Sequence, residues 1–437
     1  MGSFRRNSTW QLLQSVSSTG TDLLVLLAFS ARLDAAEFGQ LTISLSIAKI
    51  IFMLCEPRIH EYLIPRLVRA APRTRRGVWV WTRIGMAVEL GGNLGALLVC
   101  TLVYLFLPAI LRAQAGDVRL FPFAVLFVLT STLLKFSSIA VFRALGDVKT
   151  SALLALGAGA VKLAVLGGTL FGSGRDAEVA LCLLSVVGLA AALLQAATAL
   201  AALRKRFGAR PRRRAGHLRI GNLYRAARQI FGNYAMGVLE IAHRELDMQI
   251  LAALTDSVEA GRYRVAKNLS MILLEVLNPV VLMLLPEFSS RVARGNWRAV
   301  ADFTMKAAIS LAAISMIVAV PMYLIIPMLV ERLLPAQIES IPVFKIMLAG
   351  LVMSSPLIWS QSLLVATNNS YGYVLASAIG AAVAALSALA LVPRLGAIGS
   401  AVSYALSLLV ISSLAAIWSI LIIRKCLTLS KMEAGER

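Results

Sequence analysis

Leu181 to Leu203 reads LCLLSVVGLAAALLQAATALAAL, 23 residues without a charge, and runs directly into Arg204-Lys205-Arg206. A helix of that length rises about 35 Å, enough to cross a hydrocarbon core of about 30 Å. A run this long and this uniform does not suit a soluble core, where apolar residues recur with helical or strand periodicity. The basic triplet marks a cytoplasmic end, because Lys and Arg accumulate on that side of membrane spans. Runs of the same kind surround Val25 to Phe29, Ala96 to Leu107 and Ile309 to Leu329. Composition agrees: 59% of residues are hydrophobic and 15% charged, and mean hydropathy is +0.79. A soluble chain is nearer half apolar and about a quarter charged. The reading is an all-α integral membrane protein of about 12 transmembrane helices.

Spans are expected at 10–31, 38–57, 84–107, 119–142, 151–171, 178–203, 230–252, 264–285, 307–330, 343–365, 373–392 and 399–423. With the N-terminus inside, 29 of the 43 Lys and Arg residues fall on the cytoplasmic side and eight on the other. That asymmetry places both termini in the cytoplasm and favours an even number of spans. The net charge of +21 is thus a matter of topology. No fingerprint of a nucleic-acid reader accompanies it, so no nucleic-acid partner is expected. Residues 204–229 read as a basic cytoplasmic linker, joining an N-terminal six-helix bundle (1–203) to a C-terminal one (230–437). Its ten basic residues act as a topology determinant or as a patch for anionic lipid. The four cysteines show no metal-ligand spacing and imply no disulfide, and no cleavable signal peptide is evident. Neither a Walker motif nor a zinc-type His pair nor a nucleophile constellation stands out. No enzymatic activity, cofactor or metal is expected.

The two bundles repeat one another at an offset of 222 residues. Asp34-x-x-Glu37-x-Gly39 recurs as Asp256-x-x-Glu259-x-Gly261, and Pro57 recurs as Pro279. Gly174 matches Gly396, and Ala144 matches Ala366. Six spans per repeat bring both copies into the membrane in the same orientation, so the bundles are parallel-related. Repeats of this kind place a substrate cavity between two lobes and transport by rocking one against the other.

Ionisable residues at mid-span cost about 2.5–3.5 kcal/mol each on insertion scales, so they face protein or water. The cations are Lys49, Lys135, Lys162, Arg244, Lys267 and Lys345, and the acids are Asp22, Glu56, Glu89, Glu240, Glu245, Asp247 and Glu275. Glu240, Arg244 and Asp247 fall at i, i+4 and i+7, an ion-pair ladder on one helix face. Lys49 and Glu56 share a face of the second span, as do Lys267 and Glu275 of the eighth. Lys135, Lys162 and Lys345 have no acid three or four residues away, and call for an anion from another helix or from a substrate. Snorkelling is the other reading for Lys162 and Lys345. Asp22 is a candidate proton- or cation-coupling carboxylate, or else a buried, hydrogen-bonded aspartate.

The stretch from Arg244-Glu245-Leu246-Asp247 through Ala260-Gly261-Arg262-Tyr263 to Leu285-Pro286-Glu287-Phe288 resembles the polysaccharide-repeat-unit (O-antigen-type, Wzx-like) flippases. These belong to the multidrug, oligosaccharidyl-lipid and polysaccharide exporter superfamily. Asp34 to Leu41 and the turn from Gly396 to Ala401 fit the same pattern, and the motifs carry fold more than substrate. The resemblance implies two six-helix bundles in the bacterial cytoplasmic (inner) membrane. It implies alternating access coupled to a proton or sodium gradient. The cargo would be an undecaprenyl-diphosphate-linked oligosaccharide, moved from the cytoplasmic to the outer leaflet for O-antigen or exopolysaccharide export. A polysaccharide polymerase complex is the expected protein partner and the lipid bilayer the surroundings. Basic cavity residues bind the anionic headgroup in such proteins. Here that role falls to Arg244, Lys49 and Lys267, with Lys135 added from its charge and position. Coupling or gating falls to Asp22, Glu240, Asp247 and Glu56. The alternative is a multidrug/cation antiporter of the same superfamily, which should present an acidic, aromatic-lined cavity.

Overall fold

A computed structural model describes residues 2–55, 63–64, 66–67, 75–106, 119–171, 177–208, 245–367 and 369–435. Among these residues the regular structure is all helical. The N-terminal part comprises α1 (Gly2–Arg32), α2 (Ala35–Cys55), α3 (Arg75–Phe106), α4 (Leu120–Thr132), α5 (Lys135–Leu145), α6 (Val148–Phe171) and α7 (Ala177–Phe207). The C-terminal part comprises α8 (245–254), α9 (Ser257–Ala293), α10 (Trp297–Leu333), α11 (Ser340–Ser354), α12 (Trp359–Ala366) and α13 (Ser370–Gly435). Among the described residues nine segments are long and apolar enough to cross a bilayer. The last, Tyr371–Thr428, bends at Gly396 into two arms. α1 is long enough but falls outside that set, because its Ser/Thr-rich middle lowers its hydropathy. Taking α4 with α5 and α11 with α12 as one crossing each, and α13 as two, the described helices other than α8 make eleven crossings; of the span expected at 230–252, only the part from 245 lies among the described residues.

The chain divides into two compact units: Met1–Leu33 with Gln40–Ile241, and Asp34–Gly39 with Ala242–Arg437. Their elements follow the 222-residue offset. α2 starts at Ala35 and α9 at Ser257, α3 at Arg75 and α10 at Trp297, α6 at Val148 and α13 at Ser370. The repeat is therefore structural as well as textual.

The shared Asp-x-x-Glu-x-Gly motif has a local explanation. Asp34 Oδ1 accepts the Glu37 N–H at 2.7 Å and Asp256 Oδ1 the Glu259 N–H at 2.9 Å, each capping its helix. Glu259 turns away to accept the Ala397 N–H at 2.7 Å, pinning the bend where Gly396 takes φ +55°. The glycine is required by close approach: a Cβ on Gly39 would lie 1.7 Å from the Ser257 carbonyl oxygen. Within the second unit, Asp34–Gly39 and the start of α9 are thus in backbone contact.

Close approach through small residues holds the helices, since lipid tails are as apolar as Leu and give helix association no hydrophobic drive. In the first unit α1 packs on α6 and α4 on α7, with Gly159 against Thr21 and Gly188 against Thr130. Gln14 donates to the Ser151 hydroxyl at 3.0 Å across the first of these contacts. In the second unit α9 packs on α11 and α12, and α11 on α13, where Gly350 meets Ala405. Leu98, Leu105, Phe106, Ile317, Leu324 and Leu386 are exposed, as lipid-facing positions should be.

Two crossings are broken, at equivalent places. The spans expected as continuous helices at 119–142 and 343–365 divide at Leu133–Leu134 and at Ser355–Leu357. In the first, Leu134 adopts φ +52°, the one non-glycine residue in the left-handed region among those described. In the second, Pro356 lies in a 3₁₀ turn and cannot donate to the preceding carbonyls. Each break is tied to the neighbouring helix at the same repeat position of that helix, Asn93 in one and Ser315 in the other. Thr132 donates to Asn93 at 2.9 Å, and Ser355 to Ser315 at 2.8 Å.

Candidate functional site

In the second unit the charges pair across the α8–α9 turn. Asp247 of α8 and Lys267 of α9 are 7% and 5% exposed. Lys267 Nζ donates to Asp247 Oδ1 at 2.8 Å and to Oδ2 at 2.6 Å. Asp247 Oδ1 also accepts the Met248 N–H at 2.7 Å, and Oδ2 accepts the Tyr263 hydroxyl. Tyr263 and Lys267 are one turn apart on α9, so both reach the same carboxylate. The ammonium further lies 5.6 Å from the Tyr263 ring and 5.1 Å from that of Tyr404. Arg264, likewise buried, bonds Glu245 at 3.0 Å. Two opposite pairs thus staple α8 to α9, and the charge of Lys267 is matched by Asp247.

The first unit is organised differently. Glu89 of α3 is fully buried, and its two carboxylate oxygens accept the N–H groups of Phe136 and Ser137, both at 2.9 Å. They are among the first N–H groups of α5 after the break at Leu134, which have no carbonyl partner within their own helix. Lys135 is half-buried at that same helix start, with Nζ 6.0 Å from the Phe136 ring. Lys162 of α6 is half-buried too, 5.5 Å from the ring of Phe127 on α4. Lys162 lies within electrostatic range of Asp22 and Lys135, and Glu89 within range of Lys135. Asp22 is exposed on α1.

Of the residues singled out from sequence, Arg244, Glu240 and Glu56 lie outside the described residues. Lys49 is half-buried on α2. Lys267, which shares a face of its helix with Glu275, forms its ion pair with Asp247 of α8. Arg264, the first residue of the span expected at 264–285, is buried in an ion pair.

A family model described as "Polysaccharide biosynthesis protein" matches residues 4–292. The chain belongs to this family. The match spans the first unit and reaches through α9, so Asp22, Lys49, Glu89, Lys135, Lys162, Asp247 and Lys267 all fall inside the family region. No curated protein sequence matches the chain. Solved structures show the family member's fold. An inward-facing multidrug resistance MATE family transporter of the MOP superfamily superposes with a TM-score of 0.70 at 10% identity, over 97% of this chain and 96% of the other. An outward-facing one gives 0.67 at 12% identity, over 98% and 96%. A MOP superfamily transporter from Pyrococcus furiosus, described by the reverse polarity of its binding pocket, gives 0.65 at 12% identity, over 97% and 96%. This polysaccharide biosynthesis family member thus has the fold of a multi-pass transporter.

The sequence places Glu89 among the mid-span acids and Tyr263 in the stretch that carries the resemblance, but it assigns neither a partner. Tyr263 carried no signal beyond its one-turn spacing from Lys267. For Glu89 a signal existed: Ser354-Ser355-Pro356 marks a break in the tenth crossing, and the repeat carries that break to Thr132-Leu133-Leu134.

Proposed function

We propose that the chain is a flippase, moving undecaprenyl-diphosphate-linked oligosaccharide from the cytoplasmic to the outer leaflet by ion-coupled alternating access. It works in the bacterial cytoplasmic membrane with both termini inside, serves export of a cell-surface polysaccharide such as O-antigen or exopolysaccharide, and hands its cargo to a polymerase. The observation that carries the reading is the family match over residues 4–292. Membership in polysaccharide biosynthesis joined to a transporter fold points to carrying a polysaccharide precursor, and such precursors travel as prenyl diphosphates. Charge supports it. The spans hold six basic residues, and Lys135 and Lys162 have no carboxylate oxygen within 4 Å among the described residues. Arg244, Lys49, Lys267 and Lys135 are assigned to the anionic headgroup, and Asp22, Glu240, Asp247 and Glu56 to coupling or gating.

The MATE fold and the exposed Asp22 favour a second reading, a multidrug/cation antiporter. The pocket of reverse polarity in the Pyrococcus transporter suggests a different function for that protein, so polarity is the feature to test. Deleting the gene should abolish surface polysaccharide without altering sensitivity to cationic dyes. Intact polysaccharide with raised dye sensitivity refutes the flippase. Arg244→Ala should abolish export while the protein is still made, and Arg244→Lys should retain part of it.

A further inference from the structure

Glu89 has no part in headgroup binding or in the coupling set, yet it is fully buried at the middle of α3, where an ionised carboxylate is costly. Three residues on one α3 face, at i, i+4 and i+8, receive the α4–α5 break. A Cβ on Gly85 would lie 3.5 Å from the Ser137 hydroxyl oxygen. Glu89 accepts the Phe136 and Ser137 N–H groups, both at 2.9 Å, and Asn93 Oδ1 accepts the Thr132 hydroxyl at 2.9 Å. Asn93 is itself fixed, donating to the Glu89 carbonyl oxygen at 2.8 Å. The α4 side of the break is thus held by neutral groups, and the α5 side by a carboxylate. The break needs no titratable group, since the other repeat makes it with Pro356 and carries buried Leu311 where α3 carries Glu89. Nor does the local sequence demand it: no glycine or proline lies between Ala124 and Leu145, and Leu134 is strained at φ +52°. Strain that persists only while its surroundings hold it marks an element with two arrangements.

We propose that Glu89 is a proton-binding site and that the α4–α5 break is the latch it works. Ionised, Glu89 accepts with both oxygens and fixes the first turn of α5 on α3. A proton arriving on one oxygen turns that acceptor into a donor, and one of the two N–H groups is left without a partner. The α5 side then comes away from α3, while Thr132 on Asn93 keeps the α4 side in place. Leu134 leaves its strained conformation, and Lys135, at the head of α5, moves with the helix. Among the charged groups on the elements packed against α3 here, Lys135 lies within electrostatic range of Glu89, and α4 carries no ionisable side chain. On α3 itself Arg83 is exposed, six residues away. The latch stands whatever the cargo; that a transport cycle drives it with protons rests on the ion-coupled reading.

The test uses the full-length chain in nanodiscs of neutral lipid, with the four native cysteines replaced. Spin labels go on Leu126→Cys of α4 and Arg143→Cys of α5, both exposed positions, and their separation is followed from about pH 8 to about pH 4. The separation should shift reversibly along a single proton-binding curve, and infrared difference spectra should show a protonated-carboxyl band over the same range. Glu89→Gln, which keeps one acceptor oxygen in nearly the same volume, should hold the acid separation at every pH and remove that band. Leu134→Gly adopts φ +52° without strain, so it should lower the midpoint by about one pH unit. A separation that ignores pH, or a shift that survives Glu89→Gln unchanged, overturns the latch. Should Glu89→Gln fail to fold, Leu134→Gly decides: an unmoved midpoint detaches the proton from the break and overturns the latch as well. Each of these failures leaves the flippase reading standing, because the surface polysaccharide of the deletion strain decides that one.

Discussion

A lysine that is 5% exposed in a membrane helix must meet its counter-charge inside the protein, and Asp247 meets Lys267 with both carboxylate oxygens. The pair leaves little unsatisfied, because Tyr263 and the Met248 N–H occupy the remaining acceptor sites. Removing one partner strands the other as an uncompensated buried charge. Lys267→Met or Asp247→Leu alone should therefore destabilise the protein by about 3–5 kcal/mol, and the double variant should recover most of the loss. Thermal unfolding of the detergent-solubilised variants reads this out. Additive single losses would show that the pair is not coupled. Both residues were visible in the sequence as intramembrane charges, but their partnership was not. Spacing reveals which residues share a face of one helix, as Lys267 and Glu275 do, and says nothing of partners on another. The real partner is 20 residues back, across a turn whose geometry no periodicity encodes.

The broken crossings show the same division at the scale of elements. Pro356, between Ser355 and Leu357, announces the second break, whereas nothing in Leu133-Leu134 announces the first. A leucine at φ +52° costs about 1–2 kcal/mol, and Glu89 offsets that strain by satisfying the two N–H groups the break exposes. The equivalent position of the other repeat holds Leu311, fully buried, where Pro356 makes the break without a carboxylate. The repeats break the crossing at one place by two chemistries, a left-handed leucine in one and a proline-bearing 3₁₀ turn in the other. Glu89→Leu, which copies the second solution into the first without its proline, should leave two buried donors without an acceptor. A loss of about 1–3 kcal/mol per donor is expected. Hydrogen exchange checks it at the residues concerned, where the Phe136 and Ser137 amides should lose protection. Unchanged exchange there would mean that Glu89 does not hold the break. Lys135 begins α5, so its placement depends on that break.

At the scale of the whole molecule the sequence was most informative, because a bilayer imposes lengths and charge asymmetry that tertiary packing does not override. The 29-to-8 division of basic residues and the 222-residue repeat together fix which helix ends share a side. The helix order agrees: α10 runs 37 residues from Trp297 to Leu333, long enough to carry the chain from one face to the other. Arg294, at the α9–α10 turn, and Ala336, in the 3₁₀ turn after α10, are both exposed and should lie on opposite sides. The basic residues Arg291, Arg294, Arg298 and Lys306 cluster at the first of these turns, which is the cytoplasmic one in the proposed topology. With the four native cysteines replaced, a membrane-impermeant maleimide applied to intact cells should label Ala336→Cys and not Arg294→Cys. Permeabilised cells should show both. Labelling of Arg294→Cys alone in intact cells would invert the whole topology, since twelve crossings in register leave no single turn free to move independently. It would also contradict the proposed loading of a lipid-linked precursor from the cytoplasmic side.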